Sequence, residues 1–166
     1  MLIEELTEEE CLTALLRCRS ARLACARQNQ PYIVPVYIVY DRSNPDNRIV
    51  YGWTTLGQKV EWMRTNPLCC LEWDEVESYD RWWSIVAVGR YEELSDAAAT
   101  RNERLRAYGL LSKYLMWWQP GAASYVSNIE HHATQPYSPI YYRILIDRIT
   151  GRRAVPDSRG TASAQD

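Results

Sequence analysis

The sequence predicts a mainly β protein: a closed or partly closed antiparallel barrel with several short peripheral helices. Short apolar and β-branched runs recur at residues 21–26, 32–40, 49–53, 68–75, 82–93 and 140–147. A few short helical patterns interrupt them, without the βαβ alternation that builds a parallel sheet. No GxGxxG occurs, which argues against a Rossmann or flavodoxin-like nucleotide site.

The elements follow in order. Thr7-Glu8-Glu9-Glu10 is a capping box that opens a helix through about Arg17, with Cys11, Leu12, Leu15 and Leu16 as its apolar stripe. A strand over 21–26 ends at the turn Gln28-Asn29-Gln30. Residues 32–40 are almost continuously apolar, the pattern of a strand buried on both faces. Pro35 in that run has no N–H to donate. It is expected at an edge, a bulge or a place where the ladder opens. Ser43-Asn44-Pro45-Asp46-Asn47 makes a hairpin loop, and residues 49–53 return as the next strand. Strands over 68–75 and 82–93 flank an acidic turn. Ser95-Asp96 caps a longer helix reaching Tyr114–Trp118. Residues 119–139 read as irregular, with three prolines. Ile140, Tyr142, Ile144 and Ile146 share one face of a last strand. One domain over residues 1–155 is expected, with a disordered polar tail at 156–166.

The richest stretch is Tyr51-Gly52-Trp53-Thr54-Thr55-Leu56-Gly57-Gln58-Lys59. It reads as a strand end, a hydroxyl-rich turn and a helix over 56–65 stopped by Asn66-Pro67. Thr55 as N-cap and Gln58 three residues later form a capping-box pattern. Helix-start N–H groups attract anions, and Lys59 places a positive charge on the first turn, where the helix dipole disfavours it. Two readings fit these residues: a phosphate cradle, or an ordinary capped helix with a solvated lysine.

Composition bounds the function. The formal net charge of −2 over 166 residues gives no global case for nucleic acid. Glutamates at 4, 5, 8, 9 and 10 occupy the place of a basic leader, and no apolar run reaches membrane-spanning length, so a soluble cytoplasmic protein is expected. Five cysteines without CxxC suit small buried hydrophobes better than disulfides. Cys11 and Cys18 are expected on one apolar helix face, and Cys69 and Cys70 on opposite faces of a strand. Seven Trp and twelve Tyr with no Phe fit an interface or a wall against a flat ligand. His131-His132 after Glu130 suit a loop or interface better than a metal centre, because adjacent histidines seldom share one ion. No Ser/His/Asp constellation is visible.

The turn with Gly57-x-Lys59, the upstream segments Arg22–Ala26 and Gln30–Tyr37, and the downstream segments Cys69–Asp74, Trp83–Arg90 and Tyr141–Asp147 stand in a characteristic order. In that order the chain resembles the pyridoxamine 5'-phosphate oxidase-like FMN-binding split-barrel family. Among its members it is most similar to small bacterial flavin-nucleotide-binding and nitroimidazole-resistance-type proteins. The resemblance spans roughly residues 5–153. It implies a split barrel that dimerises, with two FMN molecules in the interface.

Residue by residue, the resemblance implies Lys59 at the FMN phosphate, with Thr54, Thr55 and Gln58 around it. Gln58 stands where many relatives carry arginine, which removes a bidentate phosphate partner. Gly52 and Trp53 match the strand end lying against the flavin. Val34, Pro35, Val36 and Tyr37 match the strand whose backbone faces the isoalloxazine, and Ser84 matches a polar position near the rings. Plain packing also accounts for Val34, Val36 and Trp53, and solvent exposure for Ser84. Gly52 stands where some nitroimidazole-resistance relatives have histidine, and the basic substrate residues of true pyridoxamine phosphate oxidases find no match. Met116-Trp117-Trp118-Gln119-Pro120 either walls a partner's flavin or packs the helix end. The implied function is an FMN-dependent oxidoreductase between a small-molecule electron donor and a small organic acceptor. A flavin-binding protein without turnover and a relative holding haem or a deazaflavin are the alternatives.

Overall fold

The computed structural model describes residues 1–43, 48–114 and 139–156. Seven strands and three helices follow in the order β1 (Leu2–Leu6), α1 (Glu8–Leu15), β2 (Ser20–Arg27), β3 (Gln30–Asp41), β4 (Ile49–Thr54), α2 (Gln58–Thr65), β5 (Leu68–Ser78), β6 (Arg81–Leu94), α3 (Arg101–Leu111) and β7 (Ile140–Val155). The sheet order is β1-β7-β4-β3-β2-β5-β6, and β6 also pairs with β7. Six antiparallel strands therefore close a ring, and the split barrel expected from the sequence is present.

Two long strands make the closure possible. β6 pairs with β7 from Trp82↔Ala154 to Leu94↔Tyr141. The other edge of β7 is shared: Ile140–Leu145 pairs with β4, and Gly151–Val155 pairs with β1. Opposite Val88 and Gly89 the register skips Asp147, a bulge that bends β7 against β6. A Cβ at Gly89 would overlap the Leu145 carbonyl, so only glycine fits the bend.

Strand alternation sets two cores. Leu23, Ile38, Leu71, Ile85 and Ile144 fill the barrel with Cys11 and Leu15 of α1 and Met63 of α2. Tyr37, Val39, Ile49 and Tyr51 face outward beneath Ala107 and Leu111 of α3. Thus β3 is buried on both faces only from Val36 to Asp41; Gln30–Pro35 is more open. The expectation of burial throughout 32–40 holds for the half that α3 covers.

The helices and ends differ from the sequence reading in definite ways. The Thr7 capping box is present: Glu10 N–H donates to Thr7 Oγ1 at 3.2 Å, and Thr7 N–H donates to Glu10 Oε2 at 2.8 Å. The helix stops at Leu15, so Cys18 lies past its end while Cys11 is buried on it. Ser95 does not cap α3; its carbonyl accepts from Thr100 Oγ1 at 2.9 Å inside a preceding turn, and the helix begins at Arg101. β1 escaped the sequence reading because it is an edge strand that half-buries only Leu6: Leu2 and Ile3 are exposed, and the backbone ladder to β7 holds it. β7 runs on to Val155 because the break in apolar alternation at Asp147-Arg148 accompanies the bulge, not a strand end.

A polar network ties α3 to the sheet. Asp41, 5% exposed, accepts from Arg106 Nε at 2.6 Å and from the Ser43 N–H at 2.9 Å. Burial opposes its charge, yet the Ser43 bonds and the Arg106 guanidinium outweigh that and hold the carboxyl below its ordinary value. A lowered folded pKa gives stability that is full above the unfolded value near ~3.9 and is lost as pH falls through the folded one. Acid titration followed by circular dichroism is therefore expected to show an Asp41-dependent loss below about pH 4. Asp41→Asn removes that dependence while lowering stability at pH 7 by roughly 1–2 kcal/mol.

Candidate functional site

β3 and β4 pair only from Ile38↔Gly52 to Asp41↔Ile49. Toward the other end they part. Gln30–Tyr37 keeps β2 on one edge, and among the described residues no strand pairs with its second edge. Pro35 lies in this half, exposed and opposite Arg22, as a proline without N–H requires. Beyond the split, β4 gives way to the turn Thr55-Leu56-Gly57 and then α2.

The expected cap at Thr55 is not formed. α2 starts at Gln58, its N-cap is Gly57, and no side chain caps it. Gly57 is fully extended (φ 175°, ψ −178°), and its carbonyl accepts from Val60 N–H at 3.0 Å and Glu61 N–H at 3.1 Å. Thr54 turns inward, 8% exposed, and its hydroxyl donates to the Thr55 carbonyl at 3.2 Å. The Thr55–Gln58 spacing suggested a box, but extended Gly57 moves the helix start two residues on, beyond the geometry a Thr55 cap needs. The first-turn N–H groups of α2 are thus left without a side-chain cap, as an anion site requires.

α2 is firmly seated. Val60 and Met63 are buried, Trp62 meets the Tyr32 ring at 5.6 Å, and Asn66 Nδ2 donates to the Ala26 carbonyl at 2.9 Å. Lys59 sits on this seated turn, half-buried and beside Cys25. Burial pushes its ammonium below the ordinary lysine value, and among the described residues it makes no ion pair. A half-desolvated cation without a carboxylate is costly unless an anion completes it. Gln58 beside it is exposed.

The structure sorts the remaining candidates. Val34 and Val36 point into the barrel, and Tyr37 and Trp53 pack in the core beneath α3. The side chains of these four are thus engaged in packing rather than turned toward the split. Gly52 faces the barrel interior, where the Tyr142 ring lies across it; a Cβ there would overlap Tyr142 Cζ and the hydroxyl. A histidine cannot occupy that position beside Tyr142, which gives the glycine a physical reason. Ser84 lies elsewhere. Pro35, Arg22, Glu72 and Val86 are successive cross-strand partners from β3 to β6, and Ser84 is on that same outer wall beside Asp74. Three strand spacings of about 4.8 Å separate β6 from β3. His131, His132 and Met116–Pro120 lie outside the described residues. Sequence reasoning missed Cys25 beside Lys59 and Tyr142 over Gly52, because register, not local spacing, makes those neighbours.

The comparisons agree with this architecture. A family model described as pyridoxamine 5'-phosphate oxidase matches residues 7–153. The chain belongs to the pyridoxamine 5'-phosphate oxidase family. An uncharacterized protein of Rhizobium meliloti is 37% identical over 154 residues, covering 93% of this chain and 97% of its own. A crystal structure of an FAD-binding protein from Mesorhizobium loti is 38% identical with a TM-score of 0.72, over 93% of this chain and 99% of that one. An FAD-binding protein from Mycobacterium smegmatis, 23% identical with a TM-score of 0.60 over 90% and 98%, shares the fold.

Proposed function

We propose that this member of the family binds FMN with its phosphate at the Thr54–Lys59 turn, works as a homodimer, and is an oxidoreductase passing electrons from a small-molecule donor to a small organic acceptor. One observation carries the reading: half-buried Lys59, with no carboxylate partner among the described residues, stands at an uncapped helix start seated against β2, the strand that borders the split. That donor set suits a phosphate dianion, and an ordinary capped helix with a solvated lysine would show neither the missing cap nor the burial.

The chain's own residues then have distinct tasks. Lys59 and the first N–H groups of α2 bind the phosphate. The backbone of Val34–Val36, on the edge of β3 that no described strand pairs with, faces the flat ring system, and the β3–β4 pairing ends at Gly52. Bound FMN would supply the hydride and electron chemistry, which no side chain here provides. Ser84 is too far around the wall to join this constellation within one chain. Within the homodimer proposed here it would meet a flavin only as a residue of the second copy. Exposed Ile33, Leu68 and Val86 on the outer face of β3, β5 and β6 supply apolar surface for that contact.

FAD is the second reading, favoured by the name of the 38%-identical relative. Both flavins carry a phosphate on the ribityl chain, so the same cradle serves either. Titration with each flavin separates them. Sedimentation at micromolar concentration is expected to give about twice the 19.4 kDa monomer mass. With flavin bound, reduction by NADH or NADPH followed by reoxidation with a quinone or nitroaromatic tests turnover. A bound flavin that no nicotinamide donor reduces would sink the oxidoreductase reading and leave a flavin-binding protein without turnover.

A further inference from the structure

A cavity of about 390 Å³ opens on the outer wall where β6, β7 and β1 run side by side, and Ser84, Thr150, Arg152 and Glu5 line it with Leu6 and Val86. Register puts its polar groups in one row: Ser84 is the cross-strand partner of Arg152, and Arg152 is the partner of Glu5. Their side chains share a face because each strand alternates. The size lies within the range of small-ligand pockets, roughly 300–1,000 Å³.

The charges here are unspent. Neighbouring Arg153 points the other way and pairs with Glu4 at 2.8 Å and Glu10 at 3.1 Å. Arg152 and Glu5, although directly opposite, make no ion pair with each other or with any other described residue. The cavity therefore offers a donor fork, a separate acceptor carboxylate, two hydroxyls and the exposed apolar side chain of Val86. A purely anionic ligand would meet Glu5, and a purely cationic one would meet Arg152. A neutral planar group carrying an acceptor and a donor side by side satisfies both, and a primary carboxamide is such a group.

We infer that this cavity is a carboxamide subsite, taking the nicotinamide end of the electron donor between Arg152 and Glu5. The inference rests on the flavin reading, in which Ser84 stands beside the ring system of a flavin held by a second copy. Arg152 donates to the carboxamide oxygen, Glu5 accepts from its NH₂, and Val86 lies against the ring. The donor class follows from this lining: a reduced nicotinamide nucleotide, rather than a carboxylate-bearing reductant.

The test uses flavin-loaded protein and reads binding directly, by saturation-transfer NMR with nicotinamide and nicotinic acid as probes. The wild type is expected to bind nicotinamide and to discriminate against nicotinic acid. Arg152→Gln is expected to weaken nicotinamide binding about tenfold, the loss of roughly one charge-assisted hydrogen bond. Glu5→Gln is expected to relax the discrimination, so that nicotinic acid binds about as well as nicotinamide. Both side chains are exposed, so folding should survive, and unchanged FMN affinity in both variants reports an intact site. The same nicotinamide signal in wild type and Arg152→Gln, or equal binding of the two probes by the wild type, would overturn the subsite. Failure of the wild type to take up any flavin would instead overturn the reading beneath it.

Discussion

Gly52→Ala is expected to lose about 3 kcal/mol of stability or more, the upper end of what overpacking a core costs. The added methyl falls inside the Tyr142 ring, which is fully buried and wedged between β4 and the rest of the interior. That ring cannot swing out to solvent, and the adjacent Tyr91 ring, 5.4 Å away, blocks a sideways shift. The Tyr142 hydroxyl is buried without a hydrogen-bond partner among the described residues, so displacing it breaks no hydrogen bond and the cost is steric. For a chain of this size each kcal/mol moves the melting temperature by roughly 2–4 °C, so Gly52→Ala should melt about 6–12 °C lower. Tyr142→Leu in the same background should restore part of the loss, giving a coupling of about 1–3 kcal/mol in a double-mutant cycle. A Gly52→Ala protein that melts with the wild type would mean that the strand pair is not packed as described.

Lys59→Ala is expected to weaken FMN binding between about tenfold and a hundredfold with little change in melting temperature. A charge-assisted hydrogen bond contributes roughly 1.5–3 kcal/mol, and each ~1.4 kcal/mol is a factor of ten. Stability should hold because Lys59 gives up no ion pair with the described residues and its ammonium is already penalised by burial. The split between the two readouts is diagnostic. If the lysine only packs α2, the substitution moves melting and leaves flavin affinity alone. Gln58→Arg supplies the complement: an exposed position on the first turn gains a bidentate phosphate partner, and FMN binding should tighten. Fluorescence quenching of FMN on titration measures all three proteins on one scale.

Much of the fold was legible because barrel strands advertise themselves. The alternation in β2 and the first half of β7, the apolar run in β3 and the Thr7 box in α1 each follow from one local rule. What escaped had no local signature. β1 half-buries only Leu6, so its residues read as an acidic terminus although five of them pair with β7. The far half of β7 was hidden by the bulge, which breaks the period at Asp147-Arg148. The false cap at Thr55 shows the limit of a three-residue pattern: Thr-x-x-Gln was there, but the extended Gly57 decided where the helix began.

The candidate site was legible in part. Lys59 and the turn before it were found from sequence, and the structure sets them just past the point where β4 parts from β3, with Lys59 beside Cys25 of β2. The roles of Val34, Val36, Tyr37 and Trp53 could not be read so closely, because alternation tells which residues share a face but not that α3 covers the outer one. Ser84 belongs to a different sector of the wall, a separation set by strand order, which the sequence does not display. Its neighbours Arg152 and Glu5 lie 68 and 79 residues away in the chain and become visible only once β7 is placed between β6 and β1.

The central claim is that the Thr54–Lys59 turn holds the phosphate of a flavin. The most direct test is the visible absorption spectrum of the purified protein as FMN is titrated in, run beside Lys59→Ala. Saturable spectral perturbation by the wild type, clearly weakened in the variant, is the predicted result. No perturbation with either FMN or FAD, or identical titrations for both proteins, would contradict the account and leave α2 as a helix start that binds nothing.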